Sequence, residues 1–366
     1  MTQAYSSPGA ESKTSASAPA PASASAATLK KGAGPAFALA LLAPIIAEVL
    51  SGATRVSFIF ALIPEIMVWG CGALIIREMV RRRHLPWTSM LLMGLGLSIA
   101  EEFVIQQTSL APLPWISGPI YGRALGVNWL YFLFMLGYES VWVVLVPVHL
   151  TELIFWRRGH QPWLRTRGLI ISGLIFIVGS FAAWYAWIKR ARPIVFHVPV
   201  YDPPKLTLLL GLLAIAGLVA IALNLGSSPT TSANEAPNPW VSALFALAFG
   251  FPWYVLLGFV FTPNFKFRAL PFWIPMLAGI AWAGAAFLLF RRWSSSAGWD
   301  DRHRYALIFA AILVCMIAGF LGSSTWPRID VIGKSVLDIM AVVLLLSLGG
   351  LHFRPSPSAA AIAGRS

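Results

Sequence analysis

The chain has 366 residues, of which 58% are hydrophobic and only 11% charged, with a mean hydropathy of +0.74. Soluble globular domains carry roughly a quarter charged residues, so this composition excludes one and indicates a chain that crosses a membrane several times. The net charge of +13 would suggest nucleic acid in a soluble protein, but here Lys and Arg gather in short loops beside apolar stretches, where they set topology, and nucleic-acid binding is set aside.

Residues 1–33 are rich in Ala, Ser and Pro with almost no large apolar side chains. Such a segment cannot bury enough surface to offset its conformational entropy, and a disordered tail is expected. Lys30-Lys31 followed by the apolar run from Phe37 resembles the start of a signal peptide. The long leader, Glu48 and the lack of a small-x-small site instead make it an uncleaved first span.

Ten spans of about 20 residues follow, the length that crosses a hydrocarbon core of about 30 Å. Their limits are 35–51, 56–76, 87–107, 128–156, 168–188, 206–225, 240–261, 270–290, 304–325 and 330–352. The fourth is long enough to require tilt, and Pro147 should kink it. The expected fold class is therefore all-α, a polytopic integral membrane helical bundle. It forms one transmembrane domain over 34–352, with an acid-rich half 34–225, a polar linker 226–239 and a second half 240–352, ahead of a short tail 353–366.

Basic residues orient the bundle. Lys30 and Lys31, Arg77 with Arg81-Arg82-Arg83, Arg157 and Arg158, Arg165 and Arg167, Arg291 and Arg292, Arg302 and Arg304 all fall on one side of a ten-span topology. The positive-inside rule makes that side cytoplasmic and places both termini there. Trp129, Trp156, Trp184, Trp187, Trp240 and Trp293 mark the expected interfaces. This pattern fits a bacterial cytoplasmic (inner) membrane.

Of the 14 acidic residues, Glu48, Glu65, Glu101, Glu102, Glu139 and Asp338 fall inside spans. An ionised carboxylate at the bilayer centre costs roughly 2.5 to 3.5 kcal/mol even on lenient scales, so each is a functional candidate. Counting about 1.5 Å per residue along each helix, all six come to similar depths from the outer face, although they arise from five helices running in both directions. That coincidence predicts one polar cavity opening outward. The plainer alternative is that each acid is tied off by a neighbour, as Lys334 and Asp338, four apart, can be on one helix face.

His149 is the histidine that lies well within a span, three residues before Glu152. A His and a Glu at that spacing form at most a fragment of a metal site, and there is no HExxH, GxSxG or Walker A sequence. No cofactor and no metal is expected. Cys71 and Cys315, both in apolar segments, read as packing residues.

Ala100-Glu101-Glu102-Phe-Val-Ile-Gln106 resembles the first motif of the CPBP family of intramembrane proteases, the Abi or type II CAAX protease group, which reads Glu-Glu-x-x-x-Arg within a transmembrane helix. Leu145-Val-Pro-Val-His149 resembles its second motif, Phe-x-x-x-His. The resemblance implies a glutamate-dependent intramembrane endopeptidase, in which Glu101 or Glu102 activates a water and His149 assists at the oxyanion. In a straight fourth helix His149 sits ten residues, about 15 Å of rise, beyond Glu139. Either the kink at Pro147 brings it to the glutamate pair, or Glu139 is the pair's partner, with Gln106, Glu48, Glu65 and Asp338 as supporting polar groups.

Two other classes stand beside the hydrolase: a proton- or cation-coupled transporter using the same acids, and a catalytically inert scaffold. The expected partners are membrane lipid and a membrane-embedded peptide or small molecule. The sequence is silent on oligomeric state.

Overall fold

The computed structural model describes residues 32–116, 119–226, 232–258 and 266–353. The tails expected at 1–33 and 353–366 lie almost wholly outside them, as does part of the linker. Among the described residues, nine helices are long and apolar enough to cross a membrane, and a shorter apolar helix precedes them. In chain order these are α1 (Gly34–Val49), α2 (Val56–Arg82), α3 (Trp87–Ile105), α4 (Trp129–Ile154), α5 (Thr166–Val195), α6 (Lys205–Asn224), α7 (Pro239–Gly258), α8 (Trp273–Ser294), α9 (Asp301–Leu321) and α10 (Arg328–His352). The chain is a multi-pass membrane protein. Among the described residues, strand structure is confined to an antiparallel pair, Arg123–Ala124 with Val127–Asn128, and a parallel pair, Ser232–Glu235 with Ser296–Ala297.

The helices sort by burial. α1, α2, α3, α4 and α9 supply most of the continuous apolar core, through residues such as Leu39, Val68, Met90, Val143 and Ile312. α5, α6, α8 and α10 keep most of their apolar side chains on the outside, as lipid-facing helices do. Close approach of α1 and α2 is licensed by Gly70, where a Cβ would come within 2.1 Å of the Ala40 carbonyl oxygen. The polar linker has a structural role: its strand Ser232–Glu235 pairs with Ser296–Ala297, and Pro237 O lies 2.6 Å from His303 Nε2 at the start of α9.

Six stretches among the described residues wind as π-helix: Ile45–Val49, Ile66–Gly70, Ala100–Ile105, Glu139–Leu145, Tyr185–Val195 and Tyr254–Gly258. Proline accounts directly for two of them, through Pro147 at Glu139–Leu145 and Pro193 at Tyr185–Val195. It donates no N–H, and its ring displaces the carbonyl four residues back, which widens the turn. Pro44, Pro64, Pro147, Pro193 and Pro252 each lie inside such a stretch or within two residues of one. The exception is Ala100–Ile105, which has no proline near it and carries Glu101 and Glu102. π-turns inside α-helices are frequently found at functional sites. In α4 the expected disturbance at Pro147 takes the form of the π-turn that begins at Glu139.

Candidate functional site: a carboxyl cluster

The π-turns deliver the acids. Glu48 lies in the turn ending α1, Glu65 immediately precedes that of α2, Glu101 and Glu102 lie in that of α3, and Glu139 opens that of α4. Four helices thus present five carboxyl groups to one another. Glu101 is within electrostatic reach of Glu102, Glu48 and Glu65, and Glu139 within reach of Glu102, Glu101 and Glu48.

Few of the carboxyl oxygens are satisfied. Ser109 Oγ donates to Glu102 Oε2 at 2.6 Å, and Thr54 Oγ1 donates to Glu65 Oε1. Both oxygens of Glu101, both of Glu139 and Oε2 of Glu65 are buried without a hydrogen bond within 3.5 Å. The polar side chain facing Glu101 is Gln106, and the one facing Glu139 is Ser98. None of the five acids forms an ion pair among the described residues. Uncompensated charge in a low-dielectric interior costs several kcal/mol per ion. The cluster therefore carries fewer charges than carboxyls, the balance being met by shared protons or by a bound cation. No three His, Cys, Asp or Glu side chains among the described residues converge at metal-ligand spacing.

The end of α1, which positions Glu48, is held from all sides. The last carbonyls of a helix have no partner within it, and here other elements supply one. Cys315 Sγ of α9 reaches Ile46 O at 3.5 Å, Tyr138 Oη of α4 donates to Ala47 O, and Lys334 Nζ of α10 donates to Leu50 O. Glu48 O itself accepts from Thr54 N at 2.9 Å and Ser51 Oγ at 3.1 Å. On the α3 side the pair is closed off by Gln107, a non-glycine residue at φ +57°, whose carbonyl accepts from Ala111 N at 2.8 Å. Left-handed backbone outside glycine is strained and clusters at functional sites.

Two residues expected with the cluster have their contacts elsewhere. Asp338 pairs with Lys334 at 2.8 Å, one turn away on α10. His149 belongs to an ionic network made by α2, α4 and α9. There Arg81 clamps Glu152 through two bonds of 2.7 and 2.6 Å, Arg77 Nε approaches the same carboxylate at 3.3 Å and Arg304 Nη2 at 3.2 Å. His149 Nδ1 is 3.0 Å from Arg304 Nη2 and 3.3 Å from Glu152 Oε2. Arg77, fully buried, also bonds Glu78 at 2.9 Å and Gly159 O at 2.6 Å, with its guanidinium 3.4 Å from the centre of the Trp163 ring. His160, in the following loop, is pushed below the ordinary imidazole range by burial and then by Arg81.

Sequence reasoning missed most of this network, because Arg77, Arg81 and Arg304 register as topology signals. It also missed Tyr131, Tyr138 and Tyr254, half-buried or buried tyrosines within electrostatic reach of Glu48. Tyrosine is unremarkable in a span, and nothing in the sequence singles these three out. No protein-family model, curated protein or solved structure matches the chain.

Proposed function

We propose that the protein is a proton- or cation-coupled membrane transporter whose coupling site is the set Glu48, Glu65, Glu101, Glu102 and Glu139. The observation that carries this reading is the pair of orphaned carboxyl groups, Glu101 and Glu139, on different helices and within reach of each other. Such groups exchange a proton or cation with whatever opens the site, and their repulsion when charged supplies a force that moves helices apart. By the positive-inside rule, the Arg77–Glu152–Arg304 network marks the cytoplasmic end and the cluster lies toward the opposite face, in a bacterial inner membrane.

The test is a pH jump on proteoliposomes adsorbed to a solid-supported membrane. Wild-type protein should give a transient charge displacement, and Glu101→Gln and Glu139→Gln should each lose most of it. An undiminished transient in both variants would reject the reading.

A second reading keeps the glutamate-dependent, CPBP-like hydrolase, with Glu139 in place of His149 as partner to the Glu101–Glu102 pair. Its support is that Glu139 interacts with both members of the pair, whereas the polar contacts of His149 are with Arg304 and Glu152. Two carboxyls sharing a proton can activate a water between them. Equal cleavage of a membrane-embedded peptide by wild-type, Glu101→Gln and Glu102→Gln proteins would dismiss it.

A further inference from the structure

The five carboxyls are not equally placed. Glu65, Glu101, Glu102 and Glu139 are all at least nine-tenths buried, and Glu48, although largely covered, is the member that keeps more surface than these four. Glu48 stands at the end of α1, two residues before the loop Leu50–Arg55, in which Ala53 is exposed. It is also the best connected member. Glu65 faces it from α2, Glu101 from α3, Glu139, Tyr131 and Tyr138 from α4, Tyr254 from α7 and Cys315 from α9. Lys334 reaches the end of α1 by donating to Leu50 O, and it pairs with Asp338, so its positive charge is already engaged. Glu65, the other acid near this loop, has one oxygen committed to Thr54 Oγ1 and is closed to solvent.

We infer that Glu48 is the port of the cluster, the carboxyl through which protons pass between water at the Leu50–Arg55 loop and the sealed groups Glu101 and Glu139. The step balances within the protein. A proton leaves hydronium and neutralises the Glu48 carboxylate; it then passes to Glu101 or Glu139, and Glu48 is again a carboxylate. The π-turn at Ile45–Val49 matters here, because it rotates Glu48 out of α-helical register and the carbonyls it frees are taken by Cys315 and Tyr138, which fix the turn.

This inference rests on the cluster exchanging protons, and its test separates the two ideas. The full-length protein, in liposomes, is treated with a water-soluble carbodiimide and glycine ethyl ester, and each glutamate's modification is followed by peptide mass spectrometry. Groups that need local opening before they react lag behind one already open to water, so Glu48 should be modified at least about tenfold faster than Glu101 or Glu139. The same order should hold in a Glu101→Gln background. In the pH-jump measurement Glu48→Gln should slow the transient by about tenfold or more, and Glu48→Asp should keep it. Glu101 or Glu139 reacting as fast as Glu48, or an unchanged transient in Glu48→Gln, overturns the port. A wild-type transient that persists in Glu48→Gln but is lost in Glu101→Gln removes the port and leaves the transport reading, whereas a wild-type protein that gives no transient removes both.

Discussion

Glu152→Gln is the substitution whose cost is best defined by the geometry. The Glu152 carboxylate is almost fully buried and receives Arg81 at 2.7 and 2.6 Å, Arg77 at 3.3 Å and Arg304 at 3.2 Å. Glutamine keeps the shape but loses the charge, and its amide N–H₂ turns a donor toward one of the guanidinium groups. Arg77, with no exposed surface, is left with Glu78 as its sole carboxylate. Removing one partner from a buried ion pair typically costs about 3 to 5 kcal/mol, because the remaining charge is stranded. The individual bonds do not add, because contacts in one network share partners. Stability should be measured by denaturant titration in detergent, with Asp301→Asn as control. Asp301 pairs with the same Arg304 at 2.8 Å, but its side chain is 43% exposed, and such pairs are worth about 1 kcal/mol or less. A Glu152→Gln protein within about 1 kcal/mol of wild type, or a control that loses as much as Glu152→Gln, would refute the argument that burial gives this network its weight.

Further outcomes follow from single contacts. Gly70→Val should abolish correctly folded protein in detergent, as judged by size-exclusion chromatography, because its Cβ would lie 2.1 Å from backbone oxygen of Ala40; overpacking against side chains alone already costs about 1 to 3 kcal/mol. Gly173→Val on α5, where nothing lies within 4 Å, should behave as wild type in the same assay. Asp300 caps α9 by accepting from Arg302 N at 3.0 Å and His303 N at 3.3 Å, so Asp300→Ala should cost about 0.5 to 1 kcal/mol. Partial burial raises the Asp300 carboxyl, but the His303 ring and the two amides outweigh it, and the group is held below its ordinary value. A depressed carboxyl stabilises the fold in full above its unfolded value, near about 4, and loses that contribution as pH falls through the lower native value. The melting-temperature difference between wild type and Asp300→Asn should therefore be constant near neutrality and shrink in acid; a difference independent of pH contradicts this account.

Hydrophobic length indicated the membrane class from sequence alone and placed several helix limits closely, while the ends of α2 and α5 run six and seven residues beyond the expected ones. Such length is a local property: a run of about 20 apolar residues has no other stable home than a bilayer, and the ends of α3, α6 and α10 fall within a few residues of where composition changes. The membership of the polar cluster was legible in part, because depth follows from rise per residue, and this put Glu48, Glu65, Glu101, Glu102 and Glu139 at one level. Depth says nothing of direction around the axis. Asp338 shares the level yet turns to Lys334, while His149, one π-turn and a proline beyond Glu139, meets Arg304 from a helix 152 residues away from Glu152. Rotation of each helix about its own axis is decided by the neighbours it packs against and by π-turns that insert an extra residue, and neither is written in any short stretch of sequence.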